Sequence, residues 1–146
     1  MMKKLFLTGY EKETIDKFLK KLEEANITTI IDIREKPLSR KNGFSKYTLE
    51  KLLKAKGISY FHFQDLGSPE SLRTKLKEES NYLNFFEEYR KYIKQKPKLV
   101  KDVLKVIYAN GRSALLCFEK DYQLCHRSIV ASELIKCDPK LQVIPL

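Results

Sequence analysis

At 146 residues and a net charge of +10, the chain has the length of one ordinary domain, with no repeat or low-complexity linker to divide it. Its 42% hydrophobic and 33% charged residues exclude a disordered chain, and its longest apolar runs, such as residues 113–118, are too short for a bilayer span. A domain of this size hides roughly 68–70% of its unfolded surface, so neither a disulfide scaffold nor a structural metal is needed for folding.

Residues 5–8 read as a first buried strand ending at Gly9; the basic start before them carries too few apolar residues for a signal peptide. A helix follows, with Thr14 as N-cap, Ile15, Phe18, Leu19 and Leu22 on one face, and Asn26 as its stop. The β-branched run 28–33 predicts a second strand buried on both faces, as in a parallel sheet. After a loop over 34–44, a second helix starts near Ser45, carries Leu49, Leu52 and Leu53, and stops at Gly57. Residues 58–63 predict a third strand, and 64–69 a loop around Gly67. From 70 to 110 the pattern is helical, with an aromatic stripe (Tyr82, Phe85, Phe86, Tyr89, Tyr92) before a break at Pro97. That stripe reads as core or interface rather than a base-stacking platform. Residues 113–118 predict a fourth strand, followed by a short loop, a helix to about Lys136 and a last strand over 141–144.

This alternation predicts a single α/β domain over residues 1–146, with a mostly parallel central sheet of about five strands and helices on both faces. Ligands of such sheets bind beyond the carboxyl ends of the strands. That rule selects Gly9 and Tyr10, residues 34–44, 64–68 and 119–127.

The densest chemistry in that set lies between Cys117 and Ser128, which holds Glu119, Cys125, His126 and Arg127. A cysteine at a helix N-terminus beside cations has a lowered pKa, and the backbone there attracts anions. Cys125, His126 and Glu119 are therefore the candidate catalytic residues, and Cys125 is expected to be the most reactive thiol unless Asp121 is the N-cap and carries it a turn inside the helix. Cys117 by itself reads as a buried strand end that lines the site, and Cys137 follows the last helix. No metal is expected. Structural zinc ligands pair as C-x2–4-C, whereas Cys117 and Cys125 are eight positions apart, and neighbours on a helix point about 100° apart. The phosphatase spacing C-x5-R is also missed, and no cofactor is implied.

Asp32 ends a buried strand and calls for an arginine partner, either Arg34 or Arg127. Three of the six arginines (Arg34, Arg40, Arg127) fall on the predicted ligand face, where guanidinium groups suit phosphate or carboxylate. One of them is expected to pair with Asp32 and the others to bind an anion, with Tyr10, Asp32, Ser39 and His62 also lining the site. Residues 34–56 contain eight basic and two acidic residues, a clustering that raises a polyanionic partner as a second possibility.

The set Asp32-x-Arg34, Pro37-x-Ser39-Arg40, Gly43-Phe44, Tyr60-x-His62, Leu66-Gly67, Cys117-x-Glu119 and Cys125-His126-Arg127-Ser128 resembles the signature of the "domain of unknown function 488" family. The resemblance runs from Gly9 to the last helix and implies an α/β fold and a prokaryotic origin; it brings no activity with it. Gln64 stands where a proline is common in the family.

The function expected is a cytoplasmic protein that binds a phosphate-bearing ligand, nucleotide or nucleic acid, and is an enzyme if the Cys-His-Arg cluster is reactive. The alternatives are a non-catalytic nucleic-acid binder using residues 34–56 and a thiol redox or metal sensor built on Cys117 and Cys125. An odd count of three cysteines without a secretion signal suits reduced thiols in the cytosol, and no membrane partner is expected.

Overall fold

A computed structural model describes residues 3–121 and 125–146. The apolar runs become five strands: β1 (Lys3–Gly9), β2 (Thr29–Asp32), β3 (Ser59–His62), β4 (Ser113–Cys117) and β5 (Leu141–Pro145). They form one sheet in the order β3-β2-β4-β1-β5, and every pairing is parallel.

Alternation along the strands divides the core in two. Phe6, Ile30, Ala114 and Leu116 point to one face, where they meet Phe18, Leu19 and Leu22 of α1 (Ile15–Glu24) and Leu49 and Leu53 of α2 (Lys46–Ala55). Leu5, Leu7, Ile31 and Leu115 point to the other, against α4 (Tyr82–Lys94), α5 (Pro97–Ala109) and α6 (Arg127–Cys137). Burial of both faces explains why β1, β2 and β4 read as continuous apolar runs rather than alternating ones. Thr14 caps α1 by accepting from Lys17 N, and Gly57, at φ +75°, supplies the left-handed turn after α2.

The helical stretch after β3 contains a break that periodicity does not reveal. It begins as α3 (Glu70–Glu79), turns at Ser80 (φ 54°), and restarts at Asn81, whose side chain caps α4 through Asn84 N. No residue of α3 is buried. Among the described residues, no helix is long and apolar enough to cross a membrane.

The topology sets the site. The chain leaves β1 toward α1 on one face and leaves β4 toward α6 on the other, although these strands are neighbours. A crevice opens where adjacent strands send their connections to opposite faces. Gly9 and Cys117 pair in register at that point.

Candidate functional site

Two clusters of ionisable side chains sit at the carboxyl ends of neighbouring strands. The first is closed. Asp32, fully buried at the end of β2, accepts from Arg34 N at 3.0 Å, from Arg34 Nε at 2.9 and 3.1 Å, from Arg34 Nη2 at 2.7 Å and from Tyr60 Oη at 2.5 Å. Arg34 Nη1 donates to the Phe44 carbonyl at 2.7 Å and to Tyr10 Oη at 3.1 Å, and Tyr10 stacks on Phe44 at 4.2 Å. Burial works against the Arg34 charge, but the Asp32 carboxylate holds the guanidinium protonated. Burial and Asp32 together raise the Tyr60 phenol. Arg34 is thus the partner of Asp32, and Arg127 has another task.

Arg127, the first residue of α6, is buried, donating from Nη1 to the Thr8 carbonyl at 2.9 Å. It fills the space beneath Gly9, where a Cβ would lie 1.8 Å from the Glu119 carbonyl oxygen and 2.6 Å from Arg127 Nη1. Arg127 does not line the crevice, so of the three arginines on the predicted ligand face only Arg34 and Arg40 reach the cavity wall.

The second cluster is open. Cys117, Cys125 and His126 are buried yet line a cavity of about 660 Å³, together with half-buried Glu119. His126 Nδ1 lies 3.5 Å from Cys125 Sγ and 3.8 Å from Cys117 Sγ, and Cys117 Sγ lies 3.5 Å from Glu119 Oε2. His126 Nε2 is 3.0 Å from the Ile33 carbonyl, which can only accept, so Nε2 carries a hydrogen. Tyr89 packs edge-on against the imidazole at 5.1 Å and donates its hydroxyl to the Leu66 carbonyl, fixing the ring from behind.

These contacts divide the protons unevenly. The neighbouring Cys125 and the charges of His126 and Arg127 hold the Cys117 thiol below its ordinary range despite burial. Burial and the neighbouring Cys117 push Cys125 well up. Burial alone would lower His126, but Cys117 and the Ile33 carbonyl raise it. Burial, with Cys117 beside it, raises the Glu119 carboxyl. Cys125 lies just before His126, the N-cap of α6, with its Sγ 3.5 Å from His126 Nδ1.

Although Cys125 and His126 are sequence neighbours at the entrance to α6, the Cys125 sulfur and His126 Nδ1 lie 3.5 Å apart, and the strand end brings Cys117 to meet them. The three ligand atoms lie within 4.8 Å of one another.

The rim is basic. Lys36, Arg40, Arg73 and Lys77 line the cavity with Arg34, against Glu35 and Glu119. Arg73 pairs with Glu35 at 2.9 Å and Lys36 with Glu70 at 3.2 Å, whereas Arg40 and Lys77 make no hydrogen bond or ion pair among the described residues. Leu38, Leu76, Tyr82, Phe85 and Phe118 supply an apolar wall. Tyr10 and Ser39 line this cavity as expected. Asp32 lies beneath it under Arg34, and His62 opens onto a separate cavity of about 420 Å³, its Nε2 2.6 Å from the Arg34 carbonyl. Arg73, Lys77, Tyr82 and Phe85 lie outside the loops that the strand-end rule selects; the Ser80–Asn81 break folds α3 and α4 over the crevice.

The basic residues of segment 34–56 are partly engaged with the chain itself, although most of them are exposed. Arg34 is buried, Lys36 and Lys56 are in ion pairs, and Lys41 donates to the Tyr10 carbonyl at 3.0 Å.

A family model described as "Domain of unknown function DUF488" matches residues 14–134. No curated protein and no solved structure matches the chain.

Proposed function

The chain belongs to the DUF488 family, and from its own crevice we propose that it is an enzyme acting on a small substrate with a phosphate or similar anionic group. The observation that carries this reading is the pairing of two environments in one cavity. Arg40 and Lys77, cations without a partner among the described residues, share its wall with the buried Cys117, Cys125 and His126 and with Glu119. A surface cation left unpaired costs nothing in water, but two of them over a concave floor supply a ready counter-charge. The volume falls in the range of small-molecule sites, and the wall of Leu38, Tyr82, Phe85 and Phe118 suits a flat or apolar body attached to the anion, as in a nucleotide. Glu119, which lines the same cavity, would take or give a proton. The alternative is a nucleic-acid surface over residues 34–56, which would draw on the exposed Arg40, Lys51 and Lys54 and on Lys46, set over the Tyr47 ring.

Thermal shift with inorganic phosphate and with nucleoside mono-, di- and triphosphates tests the anion site in wild type and in the Arg40→Ala/Lys77→Ala double variant. Ligand at a hundredfold excess over Kd stabilises a native state by about 2.7 kcal/mol, and the double variant should lose most of that gain. Equal shifts in both proteins, or none with any anion, overturn the reading. Phosphorus NMR of the same mixtures tests catalysis: wild type should convert a ligand that Glu119→Gln binds but leaves intact. A ligand that binds and is never converted makes this a binding protein.

A further inference from the structure

We infer that Cys117, Cys125 and His126 bind one divalent transition-metal ion, zinc in the first instance, with its fourth coordination position open to the crevice. Ligands at about 2.3 Å (sulfur) and 2.0–2.1 Å (nitrogen) around a tetrahedral ion lie about 3.5 Å apart, sulfur to nitrogen. His126 Nδ1 stands 3.5 Å from Cys125 Sγ and 3.8 Å from Cys117 Sγ, and the three atoms lie within 4.8 Å of one another, so an ion would bind as the two sulfurs draw in to about 3.8 Å.

The imidazole is prepared for this role. Its Nε2–H is tied to the Ile33 carbonyl, which directs the Nδ1 lone pair of the neutral ring at both sulfurs. A hydrogen bond from the remote ring nitrogen to a carbonyl is the usual outer-sphere support of a metal-bound histidine. Two thiolates and one imidazole select a soft or borderline ion over calcium or magnesium, which take oxygen. Two thiolates also neutralise a divalent charge, so the loaded cluster brings no net charge into its buried place.

The sequence hides the site because its ligands do not form a knuckle. One comes from the end of β4 and two from the entrance to α6, so their separation in the chain reflects a sheet-to-helix connection. All three line the cavity, and Glu119 lies 3.5 Å from Cys117 Sγ. A three-ligand ion with an open side is the catalytic rather than the structural pattern. Only the ion's part in turnover rests on the crevice being an active site; its binding does not.

Metal-stripped full-length protein, kept reduced with a phosphine, is titrated with Co²⁺. The expected result is one equivalent bound, with the intense d–d bands of a tetrahedral ion and thiolate-to-metal charge transfer, all displaced by Zn²⁺. Cys117→Ser and Cys125→Ser should each weaken Co²⁺ binding at least about 100-fold, the upper end of what losing an outer-sphere partner costs. Cys137→Ser, at an exposed thiol in the last position of α6, should leave it unchanged. If the serine variants do not fold, alkylation of the wild type decides: Zn²⁺ should protect Cys117 and Cys125 from iodoacetamide and leave Cys137 reactive. Octahedral cobalt spectra, sub-stoichiometric binding, or alkylation of Cys117 and Cys125 indifferent to Zn²⁺ would overturn the assignment. Phosphate-induced stabilisation is read separately through Arg40 and Lys77, so failure of the metal site and failure of the anion site give different results.

Discussion

The ends of β2 and β4 lie side by side, and each gathers buried ionisable groups, yet they do opposite things with them. At β2, Asp32 receives five hydrogen bonds from Arg34 and Tyr60, and Arg34 spends its remaining contacts on Tyr10 and the Phe44 carbonyl. At β4, Cys117, Cys125, His126 and Glu119 face one another across gaps of 3.5 to 3.8 Å and open onto a cavity. Buried charge is therefore not in itself a mark of function. A closed network has its valences met by its own chain and holds a loop in place; an open one leaves valences for something else.

Substitutions at the two strand ends should separate these roles. The largest effect expected is Asp32→Ala, which strands a buried guanidinium and should cost about 3–5 kcal/mol in urea unfolding. A loss below about 1 kcal/mol would mean that water reaches Arg34 and that the network is not closed. Gly9→Ala comes next: its Cβ meets the Glu119 carbonyl oxygen and Arg127, so about 3 kcal/mol should be lost, the upper end for overpacking. It should also displace the open cluster, read as weaker Co²⁺ binding, whereas Asp32→Ala should leave cobalt affinity intact in the folded fraction. Tyr60→Phe removes one hydrogen bond to a carboxylate and should cost about 1.5 kcal/mol with no effect on cobalt. Smallest in stability is Arg40→Ala, within about 0.5 kcal/mol of wild type, because the side chain is exposed and unpaired. Its whole effect should fall on phosphate-induced stabilisation.

The fold was legible because its signals are local. Apolar runs, Thr14, Gly57 and the Leu49/Leu53 spacing each act within a few residues, and the all-parallel sheet follows from their alternation with helices. Residues 122–124, in the loop that sequence places before the last helix, lie outside the described residues. The site was legible by position and less so by role. Strand-end logic led to Cys117, Glu119, Cys125 and His126, but their convergence on one point depends on how the chain returns from the end of β4 to the start of α6. Spacing cannot show that. Likewise Arg34 and Arg127 were equivalent partners for Asp32 on paper; Arg34 wins because two residues along the same loop return its side chain to the carboxylate, while Arg127 is spent on the Thr8 carbonyl.

Helix α3 carries Arg73, Leu76 and Lys77 over the crevice while burying none of its own residues. With so little apolar area holding it, its local opening free energy should be far below that of the sheet, and its amides should exchange with deuterium early. A ligand gripped by Lys77 would then slow exchange along α3 before it alters any strand. The helix that contributes least to holding the molecule together would be its most sensitive reporter of what the crevice contains.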